Sequence, residues 1–174
     1  MEGNSVYINL DSIQDPIFDK KLHQVSADLK QYRINQLKWM EQTNSTLLVE
    51  YLYSRMREWN LKPASRANTI DRLYRLSVFH KNKSFREMTT EDIFTYFDSL
   101  KRTESDDPMH RWIGSYNLTV IKIISFFKWL YEPDTHSINR QIPTFLNSVK
   151  CLNERKKLLA VQGICGQMER IYYF

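Results

Sequence analysis

Glycine and proline are scarce in this chain, four and five respectively in 174 residues. An all-β sandwich or barrel needs many tight turns and the dipeptides that make them, so that class is set aside. Cysteine is scarcer still. Cys151 and Cys165 have no ligand-type neighbours, which leaves neither a disulfide framework nor a zinc site and points to free thiols in a reducing compartment. The histidines (His23, His80, His110 and His136) are scattered, with no pair at helical spacing, and there is no Gly-rich phosphate loop. No apolar run reaches the length of a membrane span, and the first residues lack the basic-then-apolar pattern of a secretion signal. These absences set the expectations: a cytoplasmic protein, no membrane, no cofactor, no metal. Asp106-Asp107 admits a metal-binding reading, but a solvated loop ahead of Pro108 is the expected one. Internal repeats and low-complexity tracts are also missing.

The composition that remains is 42% apolar and 26% charged, that of an ordinary globular protein long enough for one domain with a core. A net charge of +5 leans toward an anionic partner. The cations concentrate between Lys62 and Arg86. There Ile70, Leu73, Leu76, Ser77 and Phe79 give the spacing of an amphipathic helix, while Lys62, Arg66, Arg72, Arg75, Lys81, Lys83 and Arg86 occupy the other positions. Only Asp71 opposes them in the helical part. One apolar face and one face of guanidinium groups suit a polyphosphate surface; the competing reading is a solvated charged face.

The other segments read as helices too. Residues 1–14 form a polar arm, and Asp15-Pro16 opens a helix with Ile17, Phe18, Leu22 and Val25 on its apolar side. A second run carries Leu29, Tyr32, Leu37 and Met40. Asn44 or Ser45 is the expected cap of a third helix, whose face of Leu47, Leu48, Tyr51, Leu52, Met56 and Trp59 ends at Asn60, before Pro63. The basic helix follows over about 65–80. Thr89, with Asp92 three residues on, predicts a capping box for an acidic helix carrying Ile93, Tyr96, Phe97 and Leu100. Pro108 is the expected start of the longest helix, in which Ile113, Ile123, Phe126, Phe127 and Leu130 mark a central core element, and Pro133 ends it. Trp39, Trp59, Trp112 and Trp129 fall at core-like positions, and a short amphipathic piece surrounds Phe145, Leu146 and Val149. The fold class is all-α.

Several of these segments, in order, resemble a known family. They are LVEYLYSRMREW, then Ser65-Arg66-Ala67-Asn68-Thr69-Ile70 with Tyr74 and Leu76, then Met88-Thr89-Thr90-Glu91-Asp92-Ile93 with Tyr96 and Phe97, and last Ser125-Phe126-Phe127-Lys128-Trp129-Leu130. Over residues 45–150 the chain resembles the core-binding domain of tyrosine recombinases (phage integrases), particularly those of archaeal type. The resemblance implies a SAM-like bundle of about four core helices, here with extra N-terminal helices in 1–44, that clamps double-stranded DNA opposite a separate catalytic domain. It puts Lys62, Arg66, Asn68, Thr69, Arg72 and Arg75 on the DNA side, with Tyr116, Asn117, Lys122 and Lys128 from the last long helix. Lys81 and Lys83 of the basic segment join them as candidates. Lys and Arg would neutralise phosphates; Asn68 and Asn117 suit a phosphate oxygen or an adenine edge.

The family's catalytic domain supplies an Arg, a Lys, a His-x-x-Arg pair and a nucleophilic Tyr. The sequence has no His-x-x-Arg, and Tyr172 and Tyr173 lack the partners that would activate a nucleophile. The expectation is therefore a binding module that neither cuts nor rejoins DNA alone, whose partners are duplex DNA and further copies or a full-length recombinase bound there. A helical protein-interaction module offering its basic face to an acidic protein is the alternative. Residues 151–174 form a tail, read either as an ordinary divergent terminus or as out-of-frame translation of the start of a catalytic domain.

Overall fold

A computed structural model of the chain describes residues 16–152, apart from 104, 108 and 109. The expectations for the N-terminal arm, for Asp15 as a cap, for Pro108 as a helix start, and for Cys165, Tyr172 and the rest of the tail from 153 lie outside the described residues. Within them the fold is all-α, without strands: α1 (Pro16–Ser26), α2 (Gln31–Trp39), α3 (Gln42–Trp59), α4 (Pro63–Phe79), α5 (Thr90–Ser99) and α6 (Trp112–Tyr131), with single 3₁₀ turns at Phe85–Glu87 and Thr144–Leu146. Among the described residues no helix is long and apolar enough to cross a membrane.

The core forms around α6. Phe126, Phe127 and Ile123 are fully buried, and Tyr51, Phe85, Phe126 and Trp129 make a run of edge-on and tilted ring contacts at 5.0–6.2 Å. Such contacts add to the area burial of large rings. Phe18, Val25, Leu37 and Met40 belong to the same buried cluster, because α1 packs on α3 and α2 on α4. A boundary at 44/45 therefore falls inside α3, and the N-terminal helices share one core with the bundle.

Several ends follow their sequence signals. Asn60 takes a left-handed conformation (φ 47°) and closes α3; Pro63 sits in the first turn of α4, where its missing N–H costs nothing. At α5 the capping box forms, with Thr89 Oγ1 accepting from the Asp92 amide (3.3 Å) and Asp92 Oδ2 accepting from the Thr89 amide (2.7 Å).

Other ends differ. Glu41, not Asn44 or Ser45, caps α3, accepting from the Asn44 amide at 3.0 Å. Asn44 is instead a buried hub: its amide donates to Lys83 O (2.9 Å) and Ser77 Oγ (3.3 Å), and its Oδ1 accepts from the Phe85 amide (2.9 Å). It fixes the loop after α4 against α3. That loop closes α4 with the two-bond motif usual for glycine, Asn82 N–H to Ser77 O (2.7 Å) and Lys81 N–H to Val78 O (3.0 Å), with Lys81 left-handed at φ 52°. At the start of α6, Asp107 is buried and accepts from the Trp112 amide at 3.1 Å, whereas Asp106 is exposed and holds Thr103. The solvated-loop expectation thus fits Asp106 and not Asp107. Among the described residues no group of three His, Cys, Asp or Glu side chains could hold a metal.

Candidate nucleic-acid interface

Helix α4 buries Arg66, Thr69, Ile70, Leu73, Leu76 and Ser77. Opposite that face Asn68, Arg72, Arg75 and Phe79 recur at intervals of four, three and four residues and form one stripe. Asn68 and Arg75 are exposed and Arg72 is half-buried, its Nε without a hydrogen-bond partner. Asn68 to Arg75 spans about 10 Å of helix. Lys62, the residue before the first turn, is exposed at its N-terminal end.

The stripe's one acid is largely occupied. Asp71 accepts from Arg33 of α2 at 2.6 Å and from Arg75 at 3.1 Å. Burial works against its carboxylate, but bonds from Arg33 and Gln36 and the charge of Arg75 outweigh that and hold it below the usual carboxylate range. Arg75 keeps most of its surface to solvent despite this pair, at 63% side-chain exposure.

Two of the expected contact residues on α4 belong to the interior. Arg66 is 5% exposed, and its guanidinium donates to the carbonyls of Ala27 and Leu61. It ties the α1–α2 turn and the α3–α4 link to α4, so it does not face a ligand. Thr69 is 1% exposed and donates to Ser65 O at 2.9 Å, inside its own helix. Periodicity alone suggests neither, because an Arg among cations looks like surface.

On α6 the outcome is similar. Tyr116 is buried between Trp112 and Phe97, at ring distances of 5.7 and 5.8 Å, and that burial pushes its phenol above the usual value. Asn117 uses both ends of its amide on one residue, donating to Leu152 O (3.0 Å) and accepting from Leu152 N–H (2.8 Å), which pins the chain at 152 across α6. Tyr116 and Asn117 therefore leave the contact set.

Lys122 remains, half-buried, its Nζ donating to Ser65 Oγ of α4 at 3.0 Å. Burial, and then the nearby Arg55, hold its ammonium below the ordinary lysine value. Lys128 lines a cleft of about 380 Å³ with Arg55, Trp59, Ile121 and Ile138. The core expectation for the tryptophans holds for Trp129, which is buried, but not for Trp59 on the cleft or for Trp39 on α2, which are 51% and 54% exposed. Arg140 lines it too, but its buried guanidinium is fixed by Glu58 (2.6 Å) and the carbonyls of Glu132 and Pro133. Of the loop cations, Lys81 is exposed, and Lys83 pairs with Asp92 at 2.7 Å.

The structure thus brings Lys62, Asn68, Arg72, Arg75 and Lys122 to α4 and its crossing with α6. It sets Lys128 in the α3–α6 cleft and puts Lys81 and Lys83 beyond the C-terminal end of α4. Ser65 joins the first group; it lies inside the segment singled out in the sequence, but a small hydroxyl among guanidinium groups carries no signal of its own. No protein-family model, curated protein or solved structure matches the chain.

Proposed function

We propose that this chain is a duplex-DNA-binding module of a site-specific tyrosine recombinase, a SAM-like bundle working in the cytoplasm with further copies or a full-length recombinase on the same DNA. Its role is to hold DNA, and strand cleavage and rejoining are left to a catalytic domain elsewhere. The observation that carries this reading is the α4 stripe: Asn68, Arg72 and Arg75 along about 10 Å of the helix face opposite the core, with Lys62 exposed at the N-terminal end of the helix. Cations in such a row neutralise successive phosphates and release counterions, which makes binding tolerant of sequence and sensitive to salt. Fluorescence anisotropy with a labelled duplex tests it. Binding that weakens as Arg72 and Arg75 are removed supports the proposal, and a duplex that never binds at low salt ends it.

A second reading has one observation in its favour. Val78 and Phe79 are 49% and 42% exposed beside Arg75, and with Tyr74, Tyr96 and Leu100 they line a shallow groove of about 320 Å³ between α4 and α5. An apolar groove edged by an arginine suits an acidic amphipathic segment of another protein. A stoichiometric complex abolished by Phe79→Ser, together with no duplex binding, would favour it.

A further inference from the structure

Lys122 has no carboxylate partner among the described residues. A half-buried ammonium ordinarily lies against a carboxylate, because burial without a counter-charge favours the neutral amine. Lys122 makes no ion pair among the described residues; its one hydrogen bond goes to the neutral Ser65 hydroxyl. The nearby charge is another cation, Arg55 of α3. Arg55 is itself paired with Glu58 at 3.4 Å, and Glu58 also accepts from Arg140 at 2.6 Å.

The hydrogen-bond inventory points the same way. An ammonium has three N–H donors, and Ser65 takes one of them. Ser65 Oγ, by accepting from Lys122, keeps its own O–H as a donor. Two lysine N–H groups and one hydroxyl at the α4–α6 crossing, one turn before Asn68, therefore have no acceptor among the described residues.

We infer that Lys122 and Ser65 form a seat for one phosphate group, and that the group is a backbone phosphate of the duplex that lies along the α4 stripe. The inference rests on the DNA-binding reading and adds the residue that anchors it. Lys122 contributes more to binding than Arg75 does, although Arg75 is far more exposed. Arg75 must share its guanidinium with Asp71, whereas Lys122 is already positioned and has no carboxylate to leave.

The test uses the full chain and four proteins: wild type, Lys122→Met, Ser65→Ala and Arg75→Ala. Methionine fills the space of the lysine stem and removes a half-buried charge, so Lys122→Met should melt no lower than wild type. Duplex affinity is titrated across a salt series, and inorganic phosphate is titrated separately. The expected result for Lys122→Met is a salt slope shallower by about 0.9, the value of one phosphate contact, and a larger loss of affinity than for Arg75→Ala. Ser65→Ala should weaken binding in the same direction by a smaller factor, and inorganic phosphate should compete only weakly. If Lys122→Met and Ser65→Ala bind duplex as wild type does while Arg75→Ala binds less, the seat is wrong and the DNA reading stands. If inorganic phosphate saturates the seat tightly without displacing duplex, the site serves a small anion and the inference falls. If wild type binds no duplex at all, the reading and the inference fall together.

Discussion

Arg66 separates an interior arginine from a phosphate contact, and the two roles make opposite predictions for Arg66→Ala. In the structure its guanidinium holds the carbonyls of Ala27 and Leu61, the first in the α1–α2 turn and the second in the link into α4. Hydrogen bonds from a charged donor contribute about 1.5–3 kcal/mol each, and truncation also leaves two carbonyls short of a partner. Against this, the substitution removes the desolvation of a buried cation, part of which is real because Arg66 Nε has no partner. A net loss of roughly 2–4 kcal/mol is expected on that balance. At about 3 °C per kcal/mol for a chain of this size, thermal unfolding should fall by roughly 6–12 °C. Limited proteolysis should meanwhile open sites in α1 and α2, whose turn is no longer held. Arg66→Met, which keeps the stem and lacks the donors, should recover part of the loss. If Arg66→Ala melts within about 2 °C of wild type and loses DNA affinity instead, the guanidinium faces solvent and the assignment to the interior is wrong.

Three further outcomes are expected. Phe127→Ala removes a fully buried ring packed against Phe85, Phe126 and Phe145, and should destabilise by about 3–5 kcal/mol in denaturant titrations; a change under ~1 kcal/mol would mean the ring is not in the core. The double substitution Arg72→Ala with Arg75→Ala should weaken duplex binding while each change alters stability by less than ~0.5 kcal/mol, checked by melting the same samples. The Asp92 carboxylate, pushed up by burial but held down to about 2 by Lys83 and Thr89, has a folded pKa below its ordinary 3.8. Its contribution to stability is therefore complete above about pH 4 and is lost as pH falls toward 2. The melting difference between wild type and Asp92→Asn should be constant near neutral pH and shrink across that acid window. A difference unchanged down to pH 2 would show that the ion pair is not formed.

The helices were legible in the sequence because their signals are local. Apolar spacing, the Thr89–Asp92 box, Asn60 ahead of Pro63, and the wide stripe of α6 each act over one or two turns, and each appears in the fold. What was not legible depends on contacts between distant parts of the chain. Asn44 looked like a cap, and only the approach of the loop after α4 turns it into a buried hub for Ser77, Lys83 and Phe85. Arg66 looked like surface until the α1–α2 turn came against it. Trp59 and Phe79 fall on apolar periods, yet they are only partly covered and stay 51% and 42% exposed. For the site the same rule holds: the α4 stripe is a property of one helix and could be read, while the pairing of Lys122 with Ser65 requires knowing that α6 crosses the first turn of α4.

The most direct test of the central claim is the salt dependence of duplex binding by the intact chain. Arg66 is withdrawn from the contact set; Lys62, Arg72, Arg75 and Lys122 remain along α4 and its crossing with α6. Four phosphate contacts predict that log affinity falls against log salt with a slope of about −3.6. Anisotropy titrations from low to physiological salt would measure it. A slope between about −3 and −4, becoming shallower in the Arg72 and Lys122 variants, is the predicted result. A slope near zero, or affinity that survives high salt unchanged, would contradict a phosphate-binding face on this protein.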